Sequence, residues 1–483
     1  MTLEQRPERT TGASLSQPDP LSFWVKLLYG IGEIPITVSM IVFGLFILFF
    51  YNSVMGVSAT VVGIASAVGL LWDAVIDPYI GYRSDHSKSR LGRRHAYMLA
   101  GSLTMGFFFW LLLAPPQGLG PFGLFLWLLV ATLLLRLTSA IYRIPYLSLG
   151  AELSQDYHER TSIVGIRSFF GLCGTLAAAS LSFVLFFPNT TEIDPKLNYS
   201  SYPKMGLAYG AVMMLAGLLA VAGTTAFRFR HPASREEGTG SLRGFVAGFL
   251  EALRNPAFRA VWLSFSLFFL AVAFNSVLAI HYFTWYVHID ASTSLSKIQS
   301  CFFIGALVGV VSWIWLSKRT EKRKIYLLTI LMTGALMMGA TLLFGEGHLF
   351  GTGNPVPLYF GNALAGFFAS GLWVVPGSML ADIADADELK TGQRREGVYF
   401  GLLNFGEKIA AGLAVLLGGL LLDYFVLLVP GEAQSAVTTS RIGLLFGFLP
   451  ALLLGVSAAL ILGYRLDHKE VTSIQSQLKR HAD

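Results

Sequence analysis

The chain has 483 residues, of which 54% are hydrophobic and only 13% are charged, and its formal net charge is +6. Soluble proteins carry about 25% charged residues, so this composition excludes an ordinary soluble domain and indicates a membrane protein. The Lys and Arg residues are spread over several short loops, which is typical of membrane topology, so no nucleic-acid partner is expected. The two cysteines, Cys173 and Cys301, lie in apolar runs and predict neither a disulfide scaffold nor a metal cluster.

The N-terminal segment, residues 1–20, is polar and has no apolar region of the signal-peptide type, which predicts a disordered cytoplasmic tail. About 20 apolar residues are needed to cross a bilayer as a helix. On that criterion we predict twelve spans, at 22–50, 58–82, 95–114, 121–149, 163–187, 205–228, 257–286, 297–317, 324–345, 355–385, 396–427 and 438–465.

The loops between the spans differ in charge. Those after spans two, six, eight and ten are basic, whereas those after spans one, three and nine contain no Lys or Arg. Because Lys and Arg collect in cytoplasmic loops, both termini are predicted to be cytoplasmic, including a C-terminal tail at 467–483. We expect a multi-pass protein of the plasma (inner) membrane.

The longest break between spans divides the chain into two groups of six. We therefore predict an N-terminal half at 21–230, a cytoplasmic linker at 231–256 and a C-terminal half at 257–466. The linker is expected to form an amphipathic helix with the apolar residues Leu242, Phe245, Phe249, Leu250 and Leu253. Two such halves are the arrangement of major facilitator proteins, which bind substrate between the halves near the midplane. The predicted fold class is an all-α membrane protein with twelve transmembrane helices; a channel or a multi-span enzyme is the alternative.

Carboxylates inside span two are the most informative residues of the chain. An unpaired charge in hydrocarbon costs at least a few kcal/mol, so intramembrane carboxylates are expected to face a cavity and bind something. Asp73 and Asp77 are four residues apart, which places them on one helical face with Cβ atoms roughly 6 Å from each other. A carboxylate pair followed by a basic turn predicts a coupling site in a transporter.

Other ionisable residues lie at membrane depth in other spans: Glu33 in span one, Arg143 in span four, Arg167 in span five, and Glu407 and Lys408 in span eleven. Opposite charges on the two halves can pair in one state and separate in another, which predicts a bistable element. For Arg136 and Arg167, a snorkelling side chain or a structural ion pair is at least as good an interpretation as a functional charge. Span one is expected to break at Gly30, Gly32 and Pro35, and span ten at Pro376 and Gly377.

Motifs of soluble enzymes are absent from the sequence. It contains no phosphate loop of the GxxxxGK[ST] type, no HExxH, no GxSxG and no CxxC pair. The nine histidines show no metal-binding spacing. We therefore predict neither an enzyme nor a bound cofactor.

Several long stretches resemble one family. WDAVIDPYIGYRSD followed by SRLGRR resembles the helix-two signature of the glycoside–pentoside–hexuronide:cation symporters, the melibiose permease group of the major facilitator superfamily. YRIPYLSLGAELSQDYHERTSIVGIRSFF, ALRNPAFR and MLADIADADELKTGQRREGVYFG resemble further blocks of that group. These stretches extend over nearly the whole chain in the order that the family has.

The resemblance implies substrate uptake driven by Na⁺, Li⁺ or H⁺ through alternating access. It makes Asp73 and Asp77 the cation-site carboxylates, which are metal ligands only if the ion is Na⁺. Lys408 falls where the family keeps a lysine close to both sites, and Glu33 at or near an acidic position that helps bind sugar. With Arg143, Glu407 is a further candidate for substrate binding or coupling. Candidates for the conformational change, all within resembling stretches, are Gly81, Asp85, Gly92, Arg93, Arg94, Asp382, Arg395 and Glu396.

Three positions depart from the melibiose-type pattern. Leu70 replaces an Arg, Ile76 replaces an Asn, and Arg143 replaces an Asp that grips sugar hydroxyls. The loss of an oxygen ligand at Ile76 weakens the case for Na⁺, so H⁺ is slightly favoured. Arg143 has two interpretations of equal standing: its guanidinium holds a carboxylate or phosphate of the substrate, or it pairs with a helix-two aspartate.

Three hypotheses of function follow. The first is a symporter, active as a monomer in the bilayer, that couples H⁺ or Na⁺ to a small-molecule substrate such as a sugar, glycoside or sugar acid. The second is a lysophospholipid symporter of the same fold, which the 37 Phe residues and Arg143 would suit. The third is a membrane sensor that does not transport.

Overall fold

The computed structural model describes residues 21–87, 89–154, 156–188, 194–227, 249, 251–289, 292–392, 396–429, 434–466 and 468–482. Within these ranges the secondary structure is helical, without strands, and includes twelve helical spans. They are Phe23–Val54, Ala59–Asp85, His95–Leu113, Pro121–Glu152, Glu159–Phe186, Ser201–Phe227, Pro256–Tyr286, Thr293–Ser317, Lys322–Leu343, Val356–Thr391, Gly397–Val426 and Ala436–Ile461, and are called spans 1 to 12. The predicted all-α fold with twelve spans is confirmed, because each apolar stretch satisfies its own backbone hydrogen bonds as a helix.

Two predicted segments fall largely outside these ranges. The N-terminal tail, 1–20, is one of them. Of the amphipathic linker helix, Leu242, Phe245 and Leu250 lie outside the described residues, while Phe249 and residues 251–254 are helical. A further helix, His468–Ala482, follows span 12 and contacts the end of span 10, where Gln475 Nε2 donates to Asp385 Oδ2 at 3.1 Å.

Span 1 breaks where predicted. It consists of helices Phe23–Ile31 and Ile34–Phe49 and a final π-helical turn, Phe50–Val54. The break occurs at Gly32, whose backbone lies against two tyrosines of span 4. A Cβ at this position would lie 2.6 Å from Tyr142 Oη and 2.7 Å from a ring carbon of Tyr146. Glycine therefore lets span 1 approach span 4 closely at the bend.

Span 10 breaks at a different place from the one predicted. Helix Val356–Ala369 ends at Ser370 and helix Gly371–Thr391 follows, with Pro376 inside the second helix. A glycine again lets two spans pack closely at the break. A Cβ at Gly371 would lie 2.7 Å from Cβ of Thr329 in span 9. Proline inside a membrane helix is tolerated when neighbouring groups satisfy the freed backbone, so Pro376 does not mark the break.

The membrane side on which both termini lie is called the terminal face, and the opposite side the distal face. Near the distal face the two halves are packed together along spans 2 and 11. A Cβ at Gly63 of span 2 would lie 2.9 Å from Leu416 Cα of span 11. Asp423, at the end of span 11, accepts hydrogen bonds from the Ala59 and Thr60 amides at 3.1 and 2.7 Å, and so caps the start of span 2.

Two further contacts between the halves close the distal face. The ring of Phe49 in span 1 meets that of His281 in span 7 at 5.0 Å. Buried Lys196, after span 5, donates to the carbonyl of Ile289, after span 7, at 3.0 Å. The structure therefore has its distal entrance closed.

Candidate functional site

The two helix-two carboxylates are each paired with a cation of span 4. Asp73 Oδ2 lies 2.5 Å from Arg136 Nη1, and Asp77 Oδ2 lies 2.8 Å from Arg143 Nη2. Spans 2 and 4 run in the same direction, so the two acidic residues meet the two arginines in the same order along the chain. The acidic residues are four positions apart and the arginines seven. Because charges in a partly buried site are weakly screened, these pairs are structurally significant.

Asp77 also contacts the other half of the protein. Lys408 Nζ of span 11 donates to Asp77 Oδ2, the oxygen that Arg143 also contacts. One carboxylate oxygen therefore joins spans 2, 4 and 11. The side chains of Arg143 and Lys408 are 32% and 34% exposed, against 16% for Asp73. A solute in the space between the halves can therefore reach both cations.

Two further acidic residues interact electrostatically with Arg143. Glu33 and Glu407 both lie within electrostatic reach of Arg143, one from each half. Glu33 also lies 3.6 Å from Arg167 Nε, and its buried Oε2 has no hydrogen-bond partner among the described residues. All the predicted substrate or coupling residues are therefore grouped around Arg143 and Asp77, between the two halves.

A cluster of three buried tyrosines fixes the position of Glu33. Tyr29 stacks on Tyr146 with 4.6 Å between ring centroids, and Tyr142 stacks on Tyr146 at 5.5 Å. Tyr142 Oη donates to the carbonyl of Gly32 at 2.9 Å, and Tyr146 Oη donates to that of Tyr29 at 3.0 Å. The bond from Tyr142 satisfies the Gly32 carbonyl at the break of span 1. Sequence reasoning found the break but not the tyrosines, which are ordinary aromatic residues in span 4.

The predicted conformational residues after span 2 form an ion-pair network at the terminal face. Arg94 pairs with Asp85 and, at 3.0 Å, with Glu152; Arg93 pairs with the same Glu152 at 2.7 Å. Gly92 has φ +91°, a left-handed conformation that favours glycine. The network joins the ends of spans 2 and 4 to the start of span 3. Glu152 was missed as a site residue, although it lies within the second resembling stretch.

Those of the other predicted conformational residues that the structure describes lie apart from that network. Gly81 faces Ile144 of span 4 loosely, since a Cβ there would be 3.8 Å from Ile144 Cγ2. Arg395 lies outside the described residues, and Glu396 begins the helix of span 11. Asp382 is 4% exposed and accepts hydrogen bonds from Lys322 Nζ at 2.7 and 2.8 Å, one to each carboxylate oxygen.

Lys322→Met is expected to lower the free energy of unfolding by about 3 kcal/mol, because it leaves the Asp382 carboxylate buried without its cation. The measurement is the melting temperature in detergent. Lys324→Met is the matched control: its exposed ion pair with Glu321, at 3.2 Å, should contribute under about 1 kcal/mol. Adding Asp382→Leu to Lys322→Met should recover most of the loss, and equal melting temperatures for both single variants would contradict the prediction.

A metal centre does not emerge from the side chains. Within the described part of the chain no group of three or more His, Cys, Asp or Glu residues is placed to hold a metal ion. The predicted cation carboxylates are instead held by arginine and lysine side chains. Any Na⁺ at these carboxylates would have to compete with those cations.

Known proteins are similar to this chain over almost its whole length. A family model described as MFS/sugar transport protein matches residues 28–468. The chain is 26% identical to the isoprimeverose transporter of Lactiplantibacillus pentosus, with 98% of this chain and 95% of that protein covered. It is 21% identical to the sodium-dependent lysophosphatidylcholine symporter 1-A of Danio rerio, with 95% and 89% covered.

Solved structures share the fold. A bacterial homologue of the human lysosomal transporter Spinster, in an inward-facing and unoccupied conformation, matches with a TM-score of 0.66 at 15% identity. The match covers 92% of this chain and 96% of that one. This likeness confirms the predicted fold class.

Proposed function

The chain belongs to the family of MFS/sugar transport proteins, and we propose that it is a symporter that couples H⁺ or Na⁺ to uptake of a sugar, glycoside or sugar acid. Family membership confirms the predicted resemblance, and makes the chain an integral membrane transporter and not an enzyme. The observation that carries the proposal is the position of Asp77. Its oxygen contacts Arg143 of its own half and Lys408 of the other half.

Charge balance at Asp77 links the coupling ion to the movement of the halves. In the present conformation the internal cations Arg143 and Lys408 neutralise Asp77. A coupling cation that binds to Asp77 replaces them, so the ion pair across the halves breaks. Because an ion bound in one state shifts the equilibrium toward that state, the loaded and unloaded carriers favour different conformations.

Substrate binding follows from the same exchange. Once released from Asp77, the guanidinium of Arg143 can bind two substrate oxygens in a planar fork. Glu33 and Glu407, one from each half, can accept hydrogen bonds from hydroxyl groups. A polyhydroxylated substrate, with or without a carboxylate, fits this arrangement. The similarity to an isoprimeverose transporter supports the sugar class.

A lysophospholipid symporter is the second candidate. The cations around Asp77 would suit a phosphate group, and the chain is similar to a lysophosphatidylcholine symporter over 95% of its length. The two candidates differ in substrate and share the role of Asp77.

Uptake into proteoliposomes tests the proposal. The purified protein is tested with a pentosyl-hexose disaccharide, a hexuronate and lysophosphatidylcholine, each under an imposed pH gradient or Na⁺ gradient. We expect one substrate to accumulate above equilibrium under one gradient, and an ionophore that collapses that gradient to abolish the accumulation. Uptake that only equilibrates under every gradient would contradict coupling, and binding without transport would favour a sensor.

A further inference from the structure

We propose that the guanidinium of Arg136 is a built-in cation that occupies the ion position at Asp73 and excludes Na⁺ from it. Arg136 is thus a residue that determines the specificity for the coupling ion. This inference rests on the proposed symport, but its central test is a binding measurement that needs no transport. It begins from the distance of 2.5 Å between Arg136 Nη1 and Asp73 Oδ2.

The Asp73–Arg136 pair lies within one half of the protein. Asp73 belongs to span 2 and Arg136 to span 4, and both spans are in the N-terminal half. In alternating access the halves rock against each other largely as rigid bodies, so a pair within one half keeps its geometry. The Asp77–Lys408 pair joins the two halves, so it has to break when the halves move apart. The Asp73–Arg136 pair can instead persist through the whole transport cycle.

Arg136 occupies a space that its neighbours leave for it. A Cβ at Gly69, one turn before Asp73, would lie 2.6 Å from Arg136 Nε and 2.9 Å from its Cδ. On another side the ring centroid of Phe43, in span 1, lies 5.1 Å from Arg136 Cζ, within the range of cation–π attraction. Spans 1, 2 and 4 therefore all contribute to the position of this guanidinium. Such packing is expected of a cation held at a defined site, and not of a side chain that snorkels toward the membrane surface.

The surroundings of Asp73 are poor in oxygen ligands for Na⁺ while Arg136 is present. Hard metal cations bind several oxygen atoms. Ile76, which directly precedes Asp77, has an apolar side chain and supplies no oxygen ligand. Fully buried Thr132, one turn before Arg136, has a hydroxyl oxygen without a hydrogen-bond partner among the described residues. Two positive charges 4 Å apart at an effective dielectric constant of 20 reduce affinity roughly 10³-fold. Arg136 and Na⁺ at Asp73 therefore exclude each other.

Removal of the guanidinium should convert Asp73 into a Na⁺ site. In Arg136→Ala the Asp73 carboxylate loses its cation, and removal of the guanidinium leaves space beside that carboxylate. We expect NaCl, compared with equal choline chloride, to raise the melting temperature of this variant by more than that of the wild type, in which Asp77 is the carboxylate left to bind Na⁺. A ligand that binds only the folded state stabilises it by mass action.

Two control variants make the binding test specific. Arg136→Lys keeps a positive charge and should respond to Na⁺ no more than the wild type does. Arg136→Ala with Asp73→Asn removes the carboxylate as well and should also respond no more than the wild type. A wild type that responds to Na⁺ as strongly as Arg136→Ala would overturn the proposal, and so would a folded Arg136→Ala that does not respond.

A second measurement decides the question if Arg136→Ala does not fold. Arg136→Gln with Asp73→Asn removes both charges together and leaves no unpaired ion. If Asp73 carries no exchangeable ion, this double variant keeps coupled uptake with an unchanged ratio of ions to substrate. Loss of coupling in a double variant that still binds substrate would overturn the proposal. Absence of any transport by the wild type would refute the proposed function, and the Na⁺ melting assay would still test the role of Arg136.

Discussion

Asp77→Asn is expected to abolish concentrative uptake while substrate exchange across the membrane continues. Asparagine has nearly the volume of aspartate, so packing between spans 2, 4 and 11 is retained. It has no negative charge, however, so it neither binds the coupling cation nor holds Arg143 and Lys408 in their ion pairs. The accumulation ratio should therefore fall to one, and the affinity linkage between ion and substrate, typically about 5- to 150-fold, should be lost.

The measurement compares net uptake with exchange in the same proteoliposomes. Glu346→Gln is the matched control, because it makes the same chemical change at an exposed carboxylate in the loop after span 9. Asp77→Asn leaves Lys408 without its acceptor, so Asp77→Asn with Lys408→Gln tests whether any instability comes from the unpaired cation. Accumulation against a gradient by Asp77→Asn would show that Asp77 is not the coupling carboxylate.

Gly419→Val is expected to hold the distal face open and so to stop transport. In the closed structure the backbone of Gly419, in span 11, lies against the carbonyl of Ala59 in span 2, and no space remains for a Cβ. Overpacking of this kind costs about 1–3 kcal/mol. Because the contact joins the two halves, the cost falls on the distal-closed state alone. The ratio of distal-open to distal-closed protein should therefore rise about 5- to 150-fold.

Accessibility of a single cysteine reports this shift. Leu48, near the distal end of span 1, is buried in the closed structure and faces span 11, where a Cβ at Gly418 would lie 3.5 Å from Leu48 Cδ2. Leu48→Cys can be placed in a chain in which both native cysteines are replaced by serine. An impermeant maleimide should label this cysteine faster when Gly419→Val is present. Gly455→Val is the control, since a Cβ at Gly455 in span 12 meets nothing within 4 Å. Unchanged labelling with normal transport would contradict the closed contact at Gly419.

Local properties of the sequence determined the helices and their order. A run of about 20 apolar residues has to form a helix in the membrane, because no water is present to satisfy its backbone. The break of span 1 was predictable from Gly30, Gly32 and Pro35, because glycine and proline weaken a helix locally. The structure has it at Gly32. The charged residues within the spans can also be recognised from the sequence alone, because each of them costs free energy in the membrane unless it is paired. The resemblance to cation symporters followed from contiguous stretches.

Only the tertiary structure decided how the charges are paired. From the sequence, Arg143 had two interpretations and Arg136 was no more than a candidate for a structural pair. The structure places Arg143 against Asp77 and Arg136 against Asp73, and brings Lys408 to Asp77 across 331 positions of the chain. It also places the break of span 10 at Ser370, beside span 9, and not at Pro376. Hydropathy and spacing are properties of one helix, whereas an ion pair depends on the packing between helices, which the spacing within each helix does not determine.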